Sequence, residues 1–108
     1  MSDAFREREK AFEEKWAHDE ELRFKVLVRR NRLLGLWAAG EMGLTGAAAE
    51  NYAKTIIQAE VVRRDDHVVL QKIQADFKAA NVLRTDHLVG RKMDEFLAAA
   101  KAQVMGEG

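Results

Sequence analysis

The sequence predicts an all-α protein, and three observations support this fold class. The 108-residue chain contains no proline, a residue that breaks helix interiors and that β-sheet proteins use in their turns. Strong helix formers, Ala, Leu, Glu, Lys, Arg and Gln, dominate its composition. Apolar residues recur at helical intervals. We therefore expect a small antiparallel four-helix bundle over residues 19–105, preceded by a mobile, partly helical N-terminal arm over residues 1–18.

The expected arm combines high charge with large aromatic residues. More than half of AFREREKAFEEKW, residues 4–16, is charged, yet Phe5, Phe12 and Trp16 return to one side of a helix. Residues 1–21 carry four basic and eight acidic side chains, and the rest of the chain carries the compensating positive excess. An isolated helix of about 16 residues is marginally stable in water. We therefore expect the arm to be dynamic when free and to order on binding.

Four helical segments are predicted to follow the arm. The first covers about residues 19–41 and is expected to end at Gly40 and Gly43, because glycine accepts a left-handed helix stop. The second covers about residues 46–64 and is expected to be capped by Thr45. The predicted inward side chains are Leu22, Val26, Leu33, Leu34 and Trp37 in the first segment, and Ala48, Tyr52, Ile56 and Ala59 in the second.

The last two segments carry clearer boundary signals. Asp65 and Asp66 are predicted to cap the third segment, and Asn81 to end it in a left-handed conformation. Thr85 and Asp86 are predicted to begin the fourth. The inward side chains expected here are Val69, Leu70, Ile73, Phe77, Leu88, Val89, Met93, Phe96 and Leu97. The short connections between these segments favour antiparallel neighbours.

The composition argues against an enzyme. The absence of cysteine excludes a disulfide framework, a thiolate metal site and a cysteine nucleophile, and the one serine is Ser2. His18, His67 and His87 lack zinc-binding spacing, and the glycines form no phosphate-binding loop. We expect a binding protein with no catalytic residue, metal or cofactor. Without an apolar leader or a membrane-length apolar run, we also expect it to be cytoplasmic and not membrane-inserted.

A basic stretch, RFKVLVRRNR at residues 23–32, leaves other functions open. Arg29, Arg30 and Arg32, with Trp37 nearby, could clamp a nucleotide; alternatively the arginines are solvated and Trp37 is a core residue. The first reading describes a nucleotide-responsive or nucleic-acid-associated helical regulator, although nucleic acid is the less favoured ligand. A scaffold that self-associates through residues 3–18 is another alternative. In a third alternative, the N-terminal helix packs intramolecularly against the helical bundle of the same chain.

Two long segments carry a resemblance to a known family. FREREKAFEEKWAHDEELRFK, followed by RRNRLLGLWAAGEMGL, resembles the zeta inhibitor subunit of the alphaproteobacterial F-type ATP synthase. AENYAKTIIQAEV, DDHVVLQKIQADF and RKMDEF fit the same family's order, so that the resemblance covers nearly the whole chain. One departure is the connection at residues 63–66, where family members often have a longer acidic turn that contains glycine.

The resemblance implies a regulatory subunit that inhibits ATP hydrolysis. The N-terminal helix, about Asp3 to His18, would wedge into an alpha/beta interface of the catalytic head and block rotation in the hydrolysis direction. The implied partners are the alpha, beta and gamma subunits, which place the protein peripherally on the inner-membrane ATP synthase. ATP or ADP is a further suspected ligand, but no motif places its site. The expected partner-binding residues are Phe5, Arg6, Arg8, Lys10, Phe12, Glu13, Glu14, Lys15 and Trp16.

Overall fold

The chain folds into α-helices. A computed structural model describes residues 2–63 and 65–107. The helices are α1 (Ser2–His18), α2 (Glu20–Glu41), α3 (Gly46–Arg63), α4 (Asp66–Ala79) and α5 (Asp86–Glu107). No strand occurs within the two described ranges, and the all-α prediction is confirmed. The mobility of the arm, the antiparallel bundle arrangement and the domain boundary after residue 18 stay predictions.

Side-chain caps explain where three of the helices begin. The Leu22 N–H donates to Asp19 Oδ1 at 3.1 Å, which caps α2. The His67 N–H donates to Asp65 Oδ1 at 2.9 Å, and the Leu88 N–H donates to the Thr85 hydroxyl at 3.1 Å. Each cap satisfies an amide at a helix N-terminus that has no partner within the helix. The predicted caps of α4 and α5 are therefore confirmed.

The predicted helix stops are partly confirmed. Asn81 follows α4 with φ 59°, and Gly43 follows α2 with φ 79°. Both residues occupy the left-handed region that ends helices. Gly40, in contrast, lies inside α2, and the prediction that it ends the helix was wrong. The helix continues for one more residue because glycine lowers helix propensity by only about 1 kcal/mol, which neighbouring contacts can offset.

A single residue, Asp19, joins α1 to α2. Its backbone is extended, with φ −103° and ψ 107°. The Asp19 N–H donates to the Lys15 carbonyl at 2.9 Å, and the Arg23 N–H donates to the Asp19 carbonyl at 3.0 Å. The junction is therefore a bend hydrogen-bonded on both sides, and no linker separates the two helices.

The main core is built by α2 to α5. Trp37 packs edge-on against Phe77, with ring centroids 5.8 Å apart. A smaller core forms where Val26 of α2 meets Ala100 and Val104 of α5. Among the residues whose side chains the structure describes, α1 contributes none to the main core, and the buried members are Leu34, Ala38, Ile56, Val69, Ile73, Phe77, Val89 and Met93.

A close crossing of α2 and α3 sets the orientation of α3. A Cβ atom added to Gly35 would lie 2.7 Å from the Ala53 Cα, so the two backbones touch where their residues are smallest. The buried face of α3 includes Ala49, Ala53, Ile56 and Glu60. Ala48 is exposed, and its predicted inward position was wrong. The contact between two small residues turns α3 so that Ala49 and Ala53 face inward instead.

Gly35→Ala is expected to destabilise the fold. The new methyl group would overlap backbone atoms of α3, and overpacking of this kind costs about 1–3 kcal/mol, more than the helix-propensity gain. Gly40→Ala is the matched control, because nothing lies within 4 Å of a Cβ placed there; it should stabilise the same helix by up to about 1 kcal/mol. Urea unfolding measures both changes, and equal effects would contradict the close crossing.

Candidate partner-binding site

α1 exposes nearly all of its side chains. Among residues 3–18, only Phe12 and Trp16 are partly buried, and both pack against the smaller core of α2 and α5. Phe5 is 58% exposed. The structure therefore places two of the three predicted anchors against their own chain and leaves the third in solvent.

Charged contacts with α5 accompany this packing. Lys101 Nζ lies 4.6 Å from the Trp16 ring centroid and 3.3 Å from a Glu13 carboxylate oxygen. Arg8 Nη2 donates to the Met105 carbonyl at 3.2 Å. Lys101 therefore makes a cation–π contact and an ion pair with the same helix. Sequence reasoning missed these α5 residues, although the opposite charges of the two parts of the chain were a signal for them.

The packing between α1 and α5 is incomplete. A cavity of about 400 Å³ lies between the two helices. Its apolar lining includes Phe5 and Phe12 from α1 and Leu97, Ala98 and Met105 from α5. Side chains that line an open space of this size face solvent and lack the close-packed contacts that an interior supplies. The interface is therefore much looser than the main core.

The other charged residues predicted to bind a partner lie in solvent. Glu13 and Arg8 contact α5, whereas the remaining members of the set are exposed on α1 with no contact described to another helix: Arg6, Lys10, Glu14 and Lys15. All nine predicted residues thus share one helix but not one environment. Their role in binding a partner stays a prediction.

A comparison with protein families decides the assignment. The family model for ATPase inhibitor subunit zeta matches residues 1–103, a range that begins before α1 and ends within α5. The chain belongs to the ATPase inhibitor subunit zeta family. The family resemblance inferred from the sequence is thereby confirmed. No curated protein matches the chain.

The basic cluster of this zeta-family chain does not converge on one point. Arg29 donates to Gln103 Oε1 at 3.1 Å and pairs with Glu107, both on α5. Arg32 pairs with Glu50 of α3 at 2.8 Å. The third arginine, Arg30, is buried. A phosphate clamp needs guanidinium groups that point at a common site, so this geometry offers no support for the nucleotide-binding prediction, which remains untested.

The buried Arg30 forms a polar cluster with groups from α2, α3 and α4, of which Asp66 is exposed. The residue is 1% exposed. Its Nε donates to Asn31 Oδ1 at 2.7 Å, and its Nη2 donates to Asp66 Oδ1 at 2.7 Å and lies 3.6 Å from Glu60 Oε2. Sequence reasoning missed this cluster. The signal was spacing: Arg30 lies four residues from both Val26 and Leu34, on the buried stripe of α2.

The carboxyl group of Glu60 in this cluster has a raised pKa. Burial raises the pKa of Glu60 above its ordinary value of 4.5, and the nearby Arg30 guanidinium opposes this shift only in part. Asp66 and Asp65 raise the pKa further by charge repulsion. Because the pKa is higher in the folded chain than in the unfolded chain, the folded chain binds a proton more tightly.

Glu60→Gln is expected to change how stability depends on pH in the zeta-family chain. In the wild type, the contribution of the Glu60 carboxyl to the free energy of unfolding is most favourable below pH 4.5. This contribution declines as pH rises through the raised folded-state pKa of Glu60. The variant lacks this decline, so its free energy of unfolding should increase relative to that of the wild type as pH rises. Urea unfolding between about pH 4 and 8 measures the difference. Glu50→Gln, on the exposed face of α3, is the control, and the same pH trend for both variants would contradict the assignment.

Neither a membrane-spanning helix nor a metal-binding cluster occurs in residues 2–63 and 65–107 of the zeta-family chain. No helix there is both long enough and apolar enough to span a membrane. No group of three His, Asp or Glu side chains there could hold a metal ion.

Proposed function

We propose that this zeta-family chain inhibits an F-type ATP synthase by inserting α1 between an alpha and a beta subunit of the catalytic head. The family assignment supports an ATPase inhibitor subunit with an ATP synthase partner. The proposed insertion stops rotation in the direction of ATP hydrolysis. The gamma subunit, whose rotation is blocked, is the third expected partner.

One structural observation carries this proposal. α1 bears three large aromatic residues, but residues 3–18 contribute none of the buried residues of the main core. Helices normally bury their apolar side chains within their own domain, so a helix that places only Phe12 and Trp16 in a loose contact has apolar surface to offer a partner. α1 can therefore leave the rest of the chain without opening the main core.

The mechanism follows from selective binding. A cleft between two subunits changes shape as a rotary ATPase turns, and a helix that fits only one shape stabilises that rotational state. Phe5, Phe12 and Trp16 are the proposed anchors, because buried aromatic residues carry much of the energy of protein interfaces. The charged residues between them set orientation through complementary contacts with the partner.

The location of α1 in the complex is the direct test. Phe5 is replaced with the photoreactive residue benzoylphenylalanine, and the chain is irradiated with the purified catalytic head while ATP hydrolysis is measured. We expect inhibition and cross-links to both an alpha and a beta subunit. Phe24 of α2 is the matched control position, because it is similarly exposed, 51% against 58%. Inhibition with cross-links only from position 24 would contradict the insertion of α1.

A further inference from the structure

We propose that the α5 surface around Lys101 is a docking site for α1 of the same chain, and that it competes with the ATPase for Phe12 and Trp16. The occupant of this surface is the segment 2–18. The inference rests on the proposed function, since it assigns a second use to the anchors of the inhibitory helix. It describes what the inhibitory helix contacts before it meets its partner.

The competition follows from shared side chains. Phe12 and Trp16 pack against Val26, Ala100 and Val104, and the same ring surfaces cannot contact another protein at the same time. Lys101 also holds Glu13, through the 3.3 Å ion pair. Insertion into a partner therefore requires α1 to leave α5 first.

The charges of the two helices suit this docking. The segment 1–21 has a negative excess, and Lys101 places its ammonium group between the Glu13 carboxylate and the Trp16 ring. On the same side of α1, Arg8 reaches the Met105 carbonyl near the end of α5. Two turns of α1 are thus tied to α5 by polar contacts as well as by apolar packing.

The docking is also weak enough to be released. A cavity of about 400 Å³ lies between α1 and α5, with Phe5 and Phe12 on its lining, and the Glu13 side chain is 50% exposed in its ion pair. Exposed ion pairs and exposed cation–π contacts are each weak. The docked and released forms therefore exchange, and the apparent affinity for the ATPase is reduced by the fraction of chains that are docked.

Lys101→Ala tests the docking and its effect on inhibition. In the isolated chain, the variant should shift the Trp16 indole NMR signal toward that of a solvent-exposed indole. It should also lower the concentration needed for half-inhibition of ATP hydrolysis by about three- to tenfold. Lys72→Ala is the matched control: Lys72 lies 5.6 Å from the Tyr52 ring centroid and pairs with Asp76 at 2.9 Å, both away from α1. It should change neither measurement.

A covalent cross-link between α1 and α5 tests whether holding α1 in the docked position weakens inhibition. Glu9 and Ala98 line the two sides of the cavity between α1 and α5, and the chain has no cysteine of its own. The variant with Glu9→Cys and Ala98→Cys is treated with a short bismaleimide, and the cross-linked chain is expected to inhibit at least about tenfold less strongly. Each single cysteine variant, capped with a monofunctional maleimide, should inhibit as the uncapped chain does.

The outcomes separate the docking from the inhibitory function. If Lys101→Ala releases Trp16 but leaves inhibition unchanged or weaker, the competition is overturned while the inhibitor assignment stands. If the bismaleimide does not cross-link α1 to α5, and Lys101→Ala does not shift the Trp16 indole NMR signal, the docking itself is overturned. If the wild-type chain fails to inhibit the ATPase, both proposals fall, whatever the Trp16 signal shows.

Discussion

Removal of residues 1–18 is expected to abolish inhibition of ATP hydrolysis and to leave a folded protein. Where side chains are described, the buried residues of the main core come from α2 to α5, so cooperative unfolding should persist without α1. The deletion uncovers Val26, Ala100 and Val104, which should cost about 1–3 kcal/mol of stability. The melting temperature should fall by several degrees.

Circular dichroism, thermal melting and an ATPase assay measure these effects together. A truncated chain that still melts in one transition but no longer inhibits supports α1 as the inhibitory element. Full inhibition by that chain would contradict the proposal, because the anchors would then be dispensable. Loss of the folded state would show that α1 is part of the folded domain.

Single aromatic substitutions refine this result. Phe12→Ala combined with Trp16→Ala should speed dissociation from the ATPase, because interface substitutions act mainly on the off-rate. Phe5→Ala and Phe24→Ala form a matched pair of exposed phenylalanines, of which only the first belongs to α1. Equal dissociation rates for this pair would count against Phe5 as an anchor.

Arg30→Leu is expected to produce the largest loss of stability from one substitution. The Arg30 guanidinium donates hydrogen bonds to Asn31 and Asp66 and pairs with Glu60. Glu60 is only 6% exposed. Removing one partner of a buried ion pair costs about 3–5 kcal/mol, because the remaining charge stays buried without compensation. The free energy of unfolding in urea measures the loss.

Two further variants separate the buried charge from other causes. Arg32→Leu removes the same side chain from a half-exposed ion pair with Glu50 and should cost no more than about 1 kcal/mol. Arg30→Leu combined with Glu60→Leu should recover much of the loss, since both buried charges are then gone. Equal losses for Arg30→Leu and Arg32→Leu would contradict the role assigned to the buried cluster.

Helix boundaries and most of the core could be predicted from the sequence because local chemistry sets them. Asp65 and Thr85 cap helices through their own neighbouring amides, and the stripe of Val69, Ile73 and Phe77 needs only helical spacing to be recognised. These signals lie within a few residues of the feature they determine. They are therefore readable without knowledge of the fold.

The missed features depend on contacts between distant parts of the chain. The rotation of α3 follows from Gly35 meeting Ala53, and periodicity within α3 cannot show this. The buried Arg30 cluster combines residues from three helices. In the candidate site, Glu13 and Lys101 are 88 positions apart, so the sequence could indicate three aromatic anchors but not the surface that they touch.

The one-residue junction at Asp19 limits how far α1 can reach. A helix rises about 1.5 Å per residue, so α1, with 17 residues, places its tip about 25 Å from the junction. While α1 stays helical, the distance between Phe5 and Asp19 is fixed, so Phe5 can move only over a spherical shell centred on Asp19. If α1 inserts as proposed, Phe5 lies 14 residues from Asp19, or about 21 Å along the helix. The cleft that accepts Phe5 must then open within about that distance of the N-terminal end of α2, which restricts where the remaining helices can rest on the catalytic head.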